Sequence, residues 1–297
     1  MFLWLTDPLV RKNLGIKHFN IIYEKRKSLD AHFPKNCSDK IFEIKKGIKI
    51  KLQKHNRLTA FILLENFEEP ELEFVSHFLK EGDIVFEIGA NIGLHALTEA
   101  LVVGDAGKVF AFEPAPETFS FLQENIALNG FTNIKAFNIG LSNTKSVSNL
   151  NISKNYDAWN TLVDKTKLPD NKDIFENTVE VTLDTLDDFI EKNKIDRKKI
   201  AMIKMDVEGW EKFVLEGARC LLSDFAPLLM VEFDEKNTWA AGYTGQDLYK
   251  KITEFGYSIF RLHNGHLFEE PIQLHYPSQN LFAVKSIENE FLNRIIK

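Results

Sequence analysis

Short apolar runs alternate with amphipathic stretches along the chain from Asp83 onward. Strands that are buried on both faces of a parallel sheet read as continuous apolar runs, and the segments between them form crossover helices. The pattern therefore predicts an α/β fold. Five runs bounded by Gly, Pro, Asn or acidic residues are the predicted buried strands: Ile84–Ile88, Val109–Phe112, Ile134–Ile139, Ile200–Met205 and Leu228–Phe233.

Two further apolar runs, Tyr257–Leu262 and Asn280–Val284, are joined by a short polar link without a predicted helix. Strands connected without a crossover pair antiparallel, so we expect these two at the sheet edge. The prediction is a seven-stranded, mostly parallel sheet with helices on both faces and an antiparallel edge strand. Glu117–Asn129 has clear helical spacing, and Thr244 with Asp247 forms a capping box at the start of another helix.

The first 80 residues differ in pattern from the rest of the chain. Phe42–Gln53 alternates apolar residues with Lys, which is typical of a half-exposed strand pair, and Glu69–Leu79 has helical spacing. We interpret residues 1–80 as an N-terminal extension or cap and residues 81–297 as the main domain.

A polar insertion rich in Asn and Lys occupies residues 142–173. Loops longer than about 12–15 residues in compact domains are usually functional or disordered. We therefore predict a lid or a substrate wall. An aromatic side chain in a polar loop needs something to cover, so Trp159 and Asn160 are the predicted substrate contacts.

Composition and charge exclude several classes of protein. Hydrophobic residues make up 44% and charged residues 27% of the 297 residues, as in ordinary globular chains. The chain has 37 basic and 43 acidic residues, a net charge of −6 that does not suit a protein tracking a nucleic-acid backbone. Cys37 and Cys220 form no metal or redox motif, and no apolar run reaches membrane-spanning length. We expect a cytoplasmic protein without a nucleic-acid partner or a membrane span.

A glycine-rich turn ends the first buried strand, in the segment VFEIGANIG. Glu87 occupies the position of the first Gly of a dinucleotide fingerprint, where a carboxylate disfavours phosphate. S-adenosylmethionine carries an ammonium and a sulfonium but no phosphate, and Glu113 at the next strand end can accept ribose hydroxyls. We therefore predict this cofactor. Its predicted contacts are Glu87, Gly89, Ala90, Asn91, Gly93, Glu113 and Pro114.

Charged residues also follow the fourth strand, where Lys204, Asp206 and Glu208 recur with period two and should converge on the carboxyl ends of the strands. Lys204 lies within an apolar strand and needs a charged partner. Asp206 and Glu208 are the first candidates for a general base, with Lys204 supporting one of them, and His95 competes for the role.

Carboxylates at neighbouring strand ends, Asp206, Glu232 and Asp234, are also of the type that binds Mg²⁺. Such residues also cap helices and pair with Lys, so a metal ion is not the favoured prediction.

The chain from about Asp83 to Asp234 resembles the FkbM-type methyltransferase family. The shared segments, in order, are VFEIGANIG, FAFEP, NIALNGF, VTLDTLDDF, IKMDVEGWEKFVLEGA and LLMVEFD. The resemblance implies a class I Rossmann-like fold that binds S-adenosylmethionine and methylates a hydroxyl, with sugar or polyketide-like acceptors. Glu87, where the family more often has Asp, keeps the same charge on a longer arm.

The leading hypothesis is therefore an S-adenosylmethionine-dependent O-methyltransferase that acts on a hydroxyl of a carbohydrate or related small metabolite. Two alternatives stay open, a methyltransferase for nucleic acid or another acceptor and a non-catalytic scaffold that binds the cofactor. Amino-group methylation of bases usually brings an Asn/Asp-Pro-Pro-aromatic motif, which is absent here.

Overall fold

A computed structural model describes residues 33, 38–54, 56–64, 67–154, 159–168, 175–285 and 290–297. Much of the predicted extension, part of the polar insertion and Cys37 lie outside these residues. The strands, in chain order, are β1 (Asp39–Glu43), β2 (Lys49–Gln53), β3 (Ile84–Ile88), β4 (Lys108–Phe112), β5 (Ile134–Phe137), β6 (Gly140–Leu141), β7 (Ser146–Ser153), β8 (Phe175–Asp184), β9 (Ile200–Met205), β10 (Leu228–Phe233), β11 (Ser258–His263), β12 (His266–Glu269) and β13 (Gln279–Val284).

The α-helices separate most of the strands. In chain order they are α1 (Arg57–Leu64), α2 (Glu69–Phe78), α3 (Leu94–Val103), α4 (Pro116–Asn129), α5 (Leu186–Lys192), α6 (Glu211–Glu216), α7 (Arg219–Asp224), α8 (Glu235–Ala240), α9 (Gly245–Glu254) and α10 (Glu290–Ile295). None of the helices in the described part of the chain has the length and apolar character needed to cross a membrane.

The chain divides into two compact units. One comprises Met1–Phe42 and Lys51–Phe67, and the other comprises Glu43–Ile50 and Glu68–Lys297. Helix α2 therefore belongs to the larger unit, because Phe74, Val75 and Phe78 are buried in the core of that unit. The predicted boundary at residue 80 differs from this division. In the smaller unit, helix α1 begins after Asn56, whose side chain accepts a hydrogen bond from the Leu58 amide.

The main sheet, as far as the structure describes the chain, has eight strands in the order β12-β11-β13-β10-β9-β3-β4-β5. The α/β prediction is confirmed, and the five predicted buried strands form its parallel part. The order of the strands at the antiparallel edge of the sheet differs from the prediction. Strand β13 lies antiparallel between β10 and β11, inside the sheet, and β12 adds an eighth strand outside β11. A two-residue turn after His263 joins β11 and β12 in a hairpin. No apolar run in the sequence indicated β12.

Both faces of the main sheet are covered, because successive side chains of each central strand point to opposite faces. In β3, Phe86 packs in a core with α5, α6, α7 and α9, whereas Val85 packs in a second core with α2, α3, α4 and α10. Glu87 shares the second face with Val85. The capping box predicted from Thr244 and Asp247 is present at the start of α9.

The polar insertion is more regular than expected. Its described part contains β7, which pairs antiparallel with β8 along the whole of β7, and β6 completes a separate three-stranded sheet. The sequence pattern predicts no strand within residues 142–173, and the interpretation of this insertion as a lid or substrate wall stays a prediction. The segment SVSNLNIS contains few apolar residues, because half of this strand faces solvent, so its sequence did not predict a strand.

Candidate functional site

The glycine turn lies between the carboxyl end of β3 and the start of α3, as predicted. Gly89 and Gly93 have φ angles of 83° and 100°, which other residues rarely adopt. A Cβ on Gly89 would lie 1.9 Å from the carbonyl oxygen of Asp206, and one on Gly93 would lie 2.8 Å from Leu122. These glycines therefore permit the turn to pack against β9 and α4. Their predicted contact with the cofactor stays a prediction.

Glu113 ties the glycine turn to the end of β4. Its carboxylate accepts hydrogen bonds from the amides of Asn91 and Ala115, each at 2.9 Å, and is 6% exposed. The amides of Gly89 and Ala90 bond to the carbonyl of Phe112 in the same region. The predicted cofactor contacts Asn91 and Glu113 are thus adjacent. Pro114 follows them, and its carbonyl accepts a hydrogen bond from Asn138.

Glu87 and Lys204 form a buried ion pair. They are direct neighbours in the register of β3 and β9, and Lys204 Nζ lies 3.2 Å from Glu87 Oε1. The prediction that Lys204 needs a charged partner is confirmed. Glu87 is 1% exposed, so its carboxylate meets Lys204 instead of standing open to a ligand. The predicted contact between Glu87 and the cofactor stays a prediction.

Lys204 also reaches the candidate base. Its Nζ donates to Asp206 Oδ2 at 3.3 Å, and the amide of Asp206 bonds to the carbonyl of Ile88 at the end of β3. Burial lowers the pKa of the ammonium, but Glu87, Asp206 and Glu68 more than offset this, so the pKa is raised well above its usual range. Lys204 is therefore a fixed cation between two carboxylates.

Three carboxylates converge at the ends of β9 and β10. One oxygen from each of Asp206, Glu208 and Glu232 lies within 4.8 Å of the others. Burial, followed by the charge of Asp206, raises the pKa of both Glu208 and Glu232 well above the usual range. Asn237 donates to Glu208 at 2.6 Å. Glu208 and Glu232 therefore favour their neutral forms more than a free glutamic acid does, and a bound cation would favour the ionised forms instead.

The predicted metal candidates are only partly brought together. Asp234 is the N-cap of α8, where its side chain accepts from the amides of Lys236 and Asn237. The third carboxylate beside Asp206 and Glu232 is Glu208, not Asp234. The reason is local, since a residue directly before a helix satisfies the free amides of the first turn.

His95, the competing candidate for the general base, is buried and its ring contacts Glu68. It is 4% exposed, and its Nε2 lies 2.7 Å from Glu68 Oε2. Burial raises the pKa of Glu68, but the hydrogen bond and charge of His95 outweigh burial and lower it to about 2. Asn280 donates to the other oxygen of Glu68 at 2.7 Å. Glu68 and Asn280 were missed because they come from segments far apart in the sequence.

The predicted substrate contacts lie on a short segment that reaches the strand ends. Asn160 accepts a hydrogen bond from the amide of Ser153, and Thr161 Oγ1 donates to the carbonyl of Glu208 at 2.8 Å. Trp159 is half-buried beside them. The insertion is thereby connected to the carboxylate cluster, although no sequence pattern singled out Thr161.

Glu211 is a further buried acid that the sequence did not reveal. It is 1% exposed, its Oε1 accepts from the amides of Val207 and Gly209, and Tyr243 lies 3.3 Å from its Oε2. Burial is the main cause that raises its pKa from 4.5 to about 7. The folded protein therefore retains a proton that the unfolded chain releases at lower pH.

We predict that this proton makes stability pH-dependent. The contribution of Glu211 is fully present below pH 4.5 and is lost as the pH rises to about 7, a change of about 3 kcal/mol for the shift that Glu211 shows. Glu211→Gln mimics the protonated acid, because its oxygen can accept from the two amides and its NH₂ can donate to Tyr243. Urea unfolding between pH 4.5 and 8 should show a flatter profile for Glu211→Gln than for the wild type. Parallel profiles would contradict the assignment.

The residues of the turn fit S-adenosylmethionine in their chemistry. The first amides of α3 have no partner within the helix and can receive a carboxylate. A carboxylate oxygen accepts more than one hydrogen bond, so Glu113 can receive ribose hydroxyls while it holds Asn91. The register of β3 and β4 brings these two groups to one edge of the sheet.

Comparisons with known proteins identify the family to which the chain belongs. A model of the FkbM methyltransferase domain matches residues 87–259. The chain is 32% identical over 160 residues to methyltransferase sdnD of Sordaria araneosa, which covers 47% of this chain and 61% of that protein. It is 28% identical over 150 residues to hexuronic acid methyltransferase AglP of Haloferax volcanii, which covers 50% of this chain and 56% of that protein.

Among solved structures, an FkbM methyltransferase from Methylobacillus flagellatus aligns with a TM-score of 0.44 at 16% identity, over 95% of this chain and 60% of that chain. The matches to sdnD and AglP span about three fifths of the length of those proteins. The family model covers more than half of the present sequence, from Glu87 in β3 to Ile259 in β11. The chain therefore belongs to the FkbM methyltransferase domain family.

Proposed function

We propose that this chain catalyses S-adenosylmethionine-dependent O-methylation of a hydroxyl on a carbohydrate or a related small metabolite. One observation carries the proposal: Asp206 lies at the end of β9 in direct packing contact with the glycine turn, and Lys204 holds its carboxylate. A base is thereby placed next to the segment that fits the cofactor. Family membership supports the reaction type, and the name of AglP supports a sugar acceptor.

Asp206 is the better of the two proposed bases. Its side chain is 25% exposed and one carboxylate oxygen lies 3.3 Å from Lys204 Nζ, so the group is held in place and stays open to an acceptor hydroxyl. Glu208 has a raised pKa and its carboxylate is bonded to Asn237, so it holds a proton more readily than it removes one from an acceptor hydroxyl. We therefore assign proton removal to Asp206 and orientation of the acceptor to Glu208. His95 becomes a positioning group, because Glu68 occupies its Nε2.

When bound, S-adenosylmethionine supplies a methyl group on a sulfonium, which an oxygen nucleophile can attack in line. Asn91, Glu113 and the first amides of α3 would hold it. The remaining task of the protein is to orient one hydroxyl and to accept its proton, for which Asp206 and the neighbouring carboxylates provide acceptors. No step in this scheme uses a metal ion, and Mg²⁺ stays an outcome to be tested.

The insertion is proposed as a wall of the acceptor site. Thr161 anchors it to the backbone of Glu208, and Asn160 lies 3.4 Å from Thr118 at the start of α4. Through these contacts, the segment that carries Trp159 and Asn160 lies next to Glu208 and to the start of α4. Their assignment as substrate contacts rests on this placement.

A methyl-transfer screen tests the proposal. Purified protein, S-adenosylmethionine and a panel of neutral sugars, uronic acids, nucleotide sugars and glycan intermediates are assayed for S-adenosylhomocysteine, with EDTA or Mg²⁺ added in parallel. We expect turnover with at least one hydroxylated acceptor. Cofactor binding without turnover on any acceptor would favour the scaffold alternative, and turnover on RNA or DNA alone would favour a nucleic-acid methyltransferase.

Loss of the Glu113 carboxylate is expected to weaken cofactor binding. Glu113→Ala removes the acceptor proposed for the ribose and releases the amide of Asn91. Charge-assisted hydrogen bonds contribute about 1.5–3 kcal/mol, so the dissociation constant for S-adenosylhomocysteine should rise roughly 10- to 100-fold in calorimetry. Glu117→Ala, an exposed carboxylate in the first turn of α4, is the matched control and should bind as the wild type does. Equal affinities for the two variants would refute the assignment.

A further inference from the structure

Three ionisable side chains lie together beneath the glycine turn, on the face of β3 that α3 covers. Glu87, His95 and Glu99 are 1%, 4% and 0% exposed, and one polar atom from each lies within 4.8 Å of the others. His95 and Glu99 are four residues apart, which places them on one side of α3. Among the residues that the structure describes, Glu87 Oε2, His95 Nδ1 and both carboxyl oxygens of Glu99 have no hydrogen-bond partner.

Two buried carboxylates at this distance cannot both stay ionised without a cation between them. Lys204 and the Nε2 nitrogen of His95 are already engaged by other carboxylates. Lys204 contacts the other oxygen of Glu87, Oε1, and also Asp206. The ring Nε2 of His95 faces the ionised carboxylate of Glu68, which needs a proton on that nitrogen. A proton on one of the two carboxyl groups would remove one of the two negative charges and would pair two of the three free carboxyl oxygens in a hydrogen bond.

We propose that Glu99 is a neutral carboxylic acid that donates a hydrogen bond to Glu87 Oε2 and thereby positions the Glu87–Lys204 pair beneath the candidate base. Burial, followed by the charge of Glu87, raises the pKa of Glu99 well above its usual range, which agrees with this protonation state. Glu87 then has both oxygens satisfied, one by Glu99 and one by Lys204.

The hydrogen bond has a consequence at the catalytic strand end. Lys204 Nζ lies 3.2 Å from Glu87 and 3.3 Å from Asp206, so the position of its ammonium depends on both carboxylates. If Glu87 lost its second partner, it would turn toward Lys204 and draw the ammonium away from Asp206. Glu99 is therefore a positioning residue that acts through Glu87 and Lys204 and does not touch the reacting atoms.

Infrared spectroscopy tests the protonation state without any assay of activity. The difference spectrum of wild type minus Glu99→Gln at pH 7 to 9 should contain the carbonyl stretch of one un-ionised carboxylic acid. Absence of this band would overturn the proposal. The metal content of the purified protein is measured in parallel, since one equivalent of a divalent metal that disappears in Glu99→Gln would show that an ion, and not a proton, lies between the carboxylates.

A pair of variants of similar volume tests the positioning role. Glu99→Gln retains a donor toward Glu87, whereas Glu99→Leu fills the space without one. We expect Glu99→Gln to keep kcat within about threefold of the wild type with an unchanged pH profile, and Glu99→Leu to lower kcat at least tenfold and shift that profile, with KM for S-adenosylmethionine changing less. Equal kcat and equal profiles in both variants would refute the positioning role.

This second test rests on the proposed function, and the two can fail separately. If the wild type transfers no methyl group to any acceptor, the infrared band still decides whether Glu99 is neutral. If Glu99→Leu fails to fold, the spectrum and the metal content of the wild type and of Glu99→Gln still decide the proposal.

Discussion

Asp206→Asn should retain cofactor binding and lower kcat by about 10²- to 10⁴-fold, the usual contribution of a general base. Asparagine has almost the same shape as aspartate and can accept one hydrogen bond from Lys204, so the end of β9 should stay in place. It cannot take a proton from the acceptor hydroxyl. Steady-state assays with the acceptor found by the screen, together with calorimetry of S-adenosylhomocysteine, separate the loss of catalysis from a loss of binding.

The control for Asp206→Asn is Asp105→Asn. Asp105 is exposed and precedes β4, at the amino end of the strands. The change in charge and in side-chain chemistry is the same, whereas the site lies at the opposite edge of the sheet. If Asp206→Asn and Asp105→Asn had the same kcat, Asp206 would not be the general base, and Glu208 would be the next candidate.

Gly89→Ala is expected to cause the largest loss of stability of any single methyl addition near the site. The added Cβ would lie 1.9 Å from the carbonyl oxygen of Asp206, a backbone atom that cannot rotate away. The turn would have to separate from β9, and with it Asp206 would leave the cofactor segment. We expect a destabilisation of about 4 kcal/mol or more, in the range of severe core changes, by urea unfolding.

Gly82→Ala separates this clash from the conformational cost of a positive φ. Gly82 has a φ of 90°, close to the 83° of Gly89, and a Cβ there would meet nothing within 4 Å. The backbone cost of a left-handed conformation alone is roughly 1–2 kcal/mol. If the free energy of unfolding fell by the same amount in both variants, the close packing between the glycine turn and β9 would not contribute to stability.

The same packing explains why one turn serves both fold and function. The amide of Asp206 bonds to the carbonyl of Ile88, and Glu87 pairs with Lys204 one step earlier along the two strands. Residues that hold β3 against β9 therefore also fix the distance between the cofactor segment and the base. A change in either strand end should alter both stability and catalysis.

The local pattern was sufficient for the elements of the parallel sheet. The five apolar runs became β3, β4, β5, β9 and β10 with ends that agree within two residues, because burial on both faces requires nearly every residue of such a strand to be apolar. The end of the sheet was harder. The position of β13 between β10 and β11 depends on pairing between strands far apart in the sequence, which periodicity does not report.

The candidate site divides in the same way. The sequence placed Asn91, Glu113, Asp206 and Glu208 just beyond the ends of their strands, because each closely follows an apolar run, and it placed Lys204 inside the fourth run. It did not show that Asp234 caps a helix, which depends on how the chain turns after β10. Nor did it show the partner of Glu87, which is decided by the register of two parallel strands.

By itself, the sequence determined the α/β class, the family and the strand ends at which chemistry is possible, since these follow from periodicity and from short contiguous motifs. Only the tertiary structure decided which charges meet. Glu68, His95 and Asn280 come from three distant segments, and Glu99 looks like a misplaced acid in an apolar helix until Glu87 is placed beside it. The physical reason is that burial and distance set the protonation and pairing of an acid, and neither quantity exists before the chain has folded.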